Sequence, residues 1–250
     1  MRPRWSNGPK TITLVRHGES TGNQADEQAR RAGADRLDLD QRDADVELSA
    51  TGREQGAALR AWLDDVDEGW RPSVVLTSPY LRAAETAGLA LDRAGIQPVP
   101  DERLRERDLG VFDGLTGTGI RRQFPDEAAR RTKLGKFYYQ PPSGESWADV
   151  VLRVRSLLDD LRHGYDGAHV WMFTHQAVIM GFRYVLEGLS EQELLEIDRQ
   201  VQIPNASFTR FTLKDDVFAL DCFADARAID AQEARVTHES SRAGAGHEHL

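Results

Sequence analysis

Short apolar runs alternate along this chain with longer stretches of helical periodicity. Thr11–Val15 (TITLV) has the uninterrupted β-branched character of a strand covered on both faces, and it ends abruptly in RHGESTGN. Residues 24–46 are densely charged and weakly periodic, which reads as a fraying helix followed by a loop. Thr51 and Glu54 have capping-box spacing ahead of Ala57, Ala58, Ala61, Trp62 and Val66, so a helix is expected to start near Thr51. Ser73–Leu76 is a second strand, running into TSPYLRAAETAGLALDRAG, a helix that stops at Gly95. Gly and Pro break the stretch from 98 to 142 into loops and short helices laid over the domain. Trp147, Val150, Val151, Val154, Leu157, Leu158 and Leu161 then form one stripe, the clearest helix of the chain. His169–Phe173 is another buried strand, followed by a helix ending near Gly188. Ser207–Leu213 and Val217–Phe223, separated by Lys214, Asp215 and Asp216, read as a hairpin.

Strands alternating with helices predict an α/β fold: a three-layer α/β/α sandwich with a mostly parallel central sheet and the hairpin at or near an edge. The pattern fades after Phe223, so residues 1–224 are expected to form the catalytic domain and 225–250 a solvated tail. At 250 residues one domain is the default, and 40% hydrophobic residues suffice for a core. A net charge of -9 argues against a surface that coats nucleic acid or anionic lipid. A lone cysteine, Cys222, cannot make an internal disulfide. No run reaches a membrane-spanning length and the first ten residues lack a secretory h-region, so a cytoplasmic enzyme with no membrane or nucleic-acid partner is expected.

In open α/β sheets ligands bind beyond the carboxyl ends of the strands. Three strand ends here carry reactive residues: Arg16 and His17, Thr77 to Arg82, and Thr174 and His175. Two arginines and two histidines converging there point to an anion, because a guanidinium matches phosphate oxygens bidentately and stays charged. The helix opening after His175 adds backbone N–H donors.

LVRHGES at Leu14–Ser20, with Asn23 six residues after His17, resembles the signature of the histidine phosphatase superfamily, which includes cofactor-dependent phosphoglycerate mutase. DADVELSATGREQG, TSPYLRAAETA, LRERDLGVFDGLT, PPSGES and FTH resemble its later blocks in the same order, so the resemblance covers about residues 11–220. It implies the phosphoglycerate mutase-like sandwich and a phosphohistidine mechanism. His17 would take the phosphoryl group, while Arg16, Arg82 and His175, assisted by Asn23, would hold its oxygens. Glu106 would protonate the leaving oxygen and then activate water, a task suited to a raised pKa. No metal and no cofactor is implied.

The mutases carry a lysine shortly after the GL step, an insertion before the PSxES-like block, and Gly-Asn after the second histidine. This chain has Gly114-Leu115-Thr116-Gly117, a direct passage through FYYQPPSGES, and Gln176-Ala177. Water is therefore the expected acceptor and a small phosphorylated molecule the expected substrate, with phosphoglycerate mutase-type transfer as the alternative. Gly18–Gly22 also matches the GxSxG nucleophile elbow, which would make Ser20 the nucleophile of a serine esterase, but the motif follows the first strand and lacks an oxyanion segment. A non-catalytic phospholigand-binding relative would not need Glu106. Arg121, Arg122, Arg130 and Arg131 suit a charged helix face or a substrate's second anionic group. Phe112, Phe137, Tyr138 and Tyr139 suit packing or the pocket mouth, and the irregular spacing of His238, His247 and His249 does not suit a metal. The substrate and a homo-oligomeric state stay open.

Overall fold

The computed structural model describes residues 2–238. In chain order its strands and α-helices are β1 (Thr11–Arg16), α1 (Thr21–Arg31), α2 (Ala50–Asp65), β2 (Val74–Thr77), α3 (Leu81–Leu91), β3 (Val99–Pro100), α4 (Gly117–Gln123), α5 (Pro125–Leu134), α6 (Trp147–Gly164), β4 (His169–Thr174), α7 (Gln176–Glu187), α8 (Glu191–Gln200), β5 (Phe208–Lys214), β6 (Val217–Asp225) and α9 (Arg227–Asp230).

The strands form one sheet in the order β3-β2-β4-β1-β5-β6. β3, β2, β4 and β1 run parallel, whereas β5 and β6 are antiparallel additions at one side. Successive strand side chains face opposite sides, which explains the unbroken apolar runs. Ile12, Leu14, Val170 and Met172 pack with Val150, Val154, Leu157 and Leu161 of α6 and with Val178 and Phe182 of α7. Val15, Val75, Trp171 and Phe173 face the other way, onto Leu59 and Leu63 of α2 and Ala87 and Leu91 of α3. The expected α/β/α sandwich is thus present.

Several local expectations are corrected. α2 begins at Ala50 and is capped by Ser49, whose Oγ accepts from the Gly52 amide at 3.0 Å, so Thr51 and Glu54 are not its capping box. The sequence reading lacked β3 and α8: β3 has two exposed residues, and α8 fully buries only Leu194. Arg121, Arg122, Arg130 and Arg131 lie on exposed faces of α4 and α5. Phe112, Phe137 and Tyr139 are buried packing residues, while Tyr138 is exposed.

The chain beyond 224 departs most from expectation. β6 continues to Asp225, and Ala228 and Ile229 of α9 sit fully buried in the α2–α3 layer. Thr237 is buried as well. A solvated tail therefore does not begin at 225; residues 239–250, including His247 and His249, lie outside the described residues. Among the described residues no helix is long and apolar enough to cross a membrane.

Candidate active site

The parallel arrangement of β1, β2 and β4 puts their carboxyl ends side by side, and the reactive residues gather there. The His17 amide donates to the Thr174 carbonyl at 3.0 Å, stitching the two strand ends together. Arg16 is 1% exposed and donates through its guanidinium to the Ile203 carbonyl. His17 is 4% exposed, and its ring lies 5.1 Å from that of the fully buried His175, tilted by 54°.

His17 Nδ1 lies 2.7 Å from the Gly18 carbonyl oxygen. A carbonyl only accepts, so Nδ1 carries the hydrogen and Nε2 carries the lone pair. Burial pushes the His17 pKa well below its ordinary value, and the neighbouring Arg82 and Arg16 push it the same way, against the weaker opposing effect of the Gly18 bond. The result is a neutral imidazole with a bare nitrogen in a strongly cationic setting.

His175 is the N-cap residue of α7, so its backbone is extended while the helix N–H groups begin immediately after it. Its Nε2 lies 2.9 Å from Ser78 Oγ, and its buried Nδ1 has no hydrogen-bond partner. Its pKa is also held well below the ordinary value, first by burial and then by Arg82, His17, Arg16 and Arg153.

Arg82, on the first turn of α3, is nearly buried and engages the loop before α2. Its guanidinium donates to the Asp43 carbonyl at 2.6 Å and lies 3.0 Å from the Asp43 carboxylate. It also lies over the Tyr80 ring at 5.3 Å, and that ring meets His175 edge-on at 5.4 Å.

Glu106 follows β3, and the Thr174 hydroxyl ties its segment to the same sheet end by donating to the Leu104 carbonyl at 2.8 Å. Glu106 is half-buried; its Oε1 accepts from the Arg107 amide at 2.7 Å, and its carbonyl accepts from Arg153 at 3.3 Å. Arg153 of α6 thus holds the Glu106 backbone, and Glu145 pairs with the same guanidinium at 3.1 Å.

Asn23 is occupied differently from the sequence expectation. Its Oδ1 accepts from the Ser20 amide at 3.0 Å, the Ser20 hydroxyl at 3.1 Å and Asn205 Nδ2 at 3.4 Å. It completes the capping box of α1, leaving only its amide NH2 end for a phosphoryl oxygen. The same bonds commit Ser20 to the cap: its Oγ accepts from the Asn23 amide at 3.1 Å and donates to Asn23 Oδ1, and among the described residues it is paired with no histidine base. That removes the structural basis for the esterase alternative.

The model of the histidine phosphatase superfamily (branch 1) matches residues 12–226, spanning every strand end described above. The chain belongs to the histidine phosphatase superfamily. Among its relatives is a 6-phosphofructo-2-kinase/fructose-2,6-bisphosphatase of Caenorhabditis elegans, 29% identical over 94% of this chain and 45% of that protein. A 2,3-bisphosphoglycerate-dependent phosphoglycerate mutase of Allorhizobium ampelinum is 28% identical over 78% of this chain and 87% of its own. A mycobacterial glucosyl-3-phosphoglycerate phosphatase, solved with VO3, superposes with a TM-score of 0.68 at 26% identity, covering 86% of this chain and 99% of that one. The chain spans less than half the length of several curated relatives it matches.

Polar residues that the sequence did not single out also stand at this superfamily member's strand ends. Asp43, Ser78, Tyr80 and Asn205 all touch the histidines, Arg82 or the His17 backbone. Ser78 and Tyr80 stood within the strand-end block; nothing local marked Asn205. Among the described residues no group of three or more His, Cys, Asp or Glu side chains is placed to hold a metal ion.

Proposed function

We propose that this member of the superfamily is a phosphomonoesterase acting on a small phosphorylated substrate through a phosphohistidine at His17. The observation that carries the reading is the 2.7 Å bond from His17 Nδ1 to Gly18, which leaves Nε2 as a neutral nucleophile between buried cationic groups. A phosphoryl group bearing negative oxygens is the electrophile such a site attracts and stabilises.

In the proposed sequence His17 Nε2 attacks phosphorus and the bond to the leaving oxygen breaks. Glu106 supplies the proton that the departing alkoxide takes. Water then attacks the phosphohistidine and Glu106 removes its proton, so the P–N bond breaks and phosphate leaves. Arg16 and Arg82 balance the charge on the phosphoryl oxygens. With the Ser78 hydroxyl donating to His175 Nε2, Nδ1 of His175 carries the hydrogen and becomes a further donor. Asp43 yields the Arg82 guanidinium to the substrate. The mutase and bisphosphatase relatives fit the same phosphoryl-transfer chemistry with different acceptors. The absence of a lysine after Gly114-Leu115 and the Gln176-Ala177 pair favour water here.

Hydrolysis of a panel of phosphomonoesters in EDTA, with His17→Ala as control, tests the proposal. Turnover that persists without divalent metal and vanishes in His17→Ala is expected, together with acid-labile phosphate trapped on His17. Activity that survives the substitution would overturn it.

A further inference from the structure

Behind the His17 loop lies a closed ring of hydrogen bonds in which every donor meets an acceptor. The His17 carbonyl accepts from Asn205 Nδ2 at 3.2 Å, and Asn205 Oδ1 accepts from the Thr237 hydroxyl at 3.2 Å. Thr237 Oγ1 accepts from Gln55 Nε2 at 2.9 Å, and Gln55 Oε1 accepts from the Glu19 amide at 2.8 Å. Carbonyl groups, which only accept, fix the direction of both side-chain amides: Gln55 Nε2 also donates to the Arg235 carbonyl at 2.7 Å, and Asn205 Nδ2 donates to that of His17. The backbone N–H of Asn205 donates in addition to the Thr237 carbonyl at 2.8 Å. Gln55 and Asn205 are fully buried and Thr237 nearly so, which makes each unmade bond costly.

The ring grips the chain on both sides of Gly18. The Glu19 N–H and the Gly18 C=O belong to one planar trans peptide unit, so holding the first aims the second. The Gly18 carbonyl is the group that takes the hydrogen of His17 Nδ1.

We infer that Gln55, latched by Thr237 and Asn205 of the C-terminal third, is a positioning residue that fixes the tautomer of His17 by orienting the Gly18–Glu19 peptide. The segment ending at Thr237 thereby becomes part of the nucleophile's support although it makes no contact with the histidine ring. The inference rests on His17 being the phosphoryl acceptor, but its structural half can be read without turnover.

The test uses the full chain with 15N-labelled histidine, whose nitrogen resonances report tautomers directly, His17 being assigned by its loss in His17→Asn. Wild type is expected to show His17 as the Nδ1–H form alone. Gln55→Met keeps the side-chain length but accepts poorly from the Glu19 amide, and it should give a mixture of tautomers. With p-nitrophenyl phosphate its kcat should fall on the order of 10- to 100-fold, the range seen when support behind a reacting group is removed, while KM changes little. Thr237→Val should move both readouts in the same direction and Thr237→Ser should restore them. A single Nδ1–H tautomer in folded Gln55→Met and Thr237→Val would overturn the inference, as would equal losses in Thr237→Val and Thr237→Ser. An inactive wild type would instead count against the phosphatase reading, leaving the tautomer result to decide the ring.

Discussion

Arg82 spends its charge on a protein carboxylate. The Asp43 side chain is 42% exposed, whereas that of Arg82 is 6% exposed, so the pair sits at the boundary between solvent and site. Water screens such a half-exposed pair to about 0–1 kcal/mol. In the proposed reaction a phosphoryl group competes with Asp43 for the Arg82 guanidinium. Asp43→Asn is therefore expected to lower KM for a phosphomonoester by about two- to five-fold, the kinetic equivalent of 0.4–1 kcal/mol, with kcat little changed. Steady-state kinetics at fixed ionic strength check this, and an increased KM would show that Asp43 orients Arg82 more than it competes for it. The meeting of His17 and His175 was legible because RHGES stands directly after a strand and FTH at the end of another. Asp43 was not, since its role depends on a loop folding back onto α3.

The contact between the His17–Ser20 loop and α2 turns on Gly52. A Cβ there would lie 2.0 Å from the Glu19 carbonyl oxygen, and one on Gly18 would lie 2.8 Å from the Gly52 carbonyl oxygen. Backbone sits against backbone, with no flexible side chain to yield. Gly52→Ala should destabilise the protein by about 1–3 kcal/mol or more and reduce turnover, since the loop must move to admit the methyl group. Gly88→Ala is the matched control: it is also helical, its Cβ would meet nothing within 4 Å, and it should gain up to about 1 kcal/mol from helix propensity. Urea unfolding of both variants separates the two effects. Elements that bury one broad face, such as α6 with its stripe from Trp147 to Leu161, were readable from spacing alone. α8 was not, because its charged sequence fully buries only Leu194. The start of α2 was displaced by a residue because Thr51 and Glu54 imitate a cap that Ser49 provides.

At the scale of the whole molecule, two buried neutral histidines tie stability to pH. Both His17 and His175 have native pKa values well below the ordinary one, which is about 6.5 in the unfolded chain. Below that value the unfolded state binds protons that the native state refuses, so stability falls as pH falls, by at most about 1.4 kcal/mol per pH unit for each histidine. Urea midpoints should be insensitive to these two groups above about pH 6.5 and should drop on acidification below it until the native values are reached. His175→Phe should flatten that limb, and an unchanged slope would show that other groups dominate acid unfolding. The polar ring behind His17 escaped sequence reading for a reason of the same scale. Gln55 and Thr237 are 182 positions apart, and His17 and Asn205 are 188 apart, so no local period joins them. β1 has the same character: its neighbours β4 and β5 arrive more than 150 residues later. The setting of His17 therefore cannot form from its own stretch of chain: a growing polypeptide must first supply β4 and β5 to flank β1, and then the segment up to Thr237 to close the ring of bonds behind the histidine.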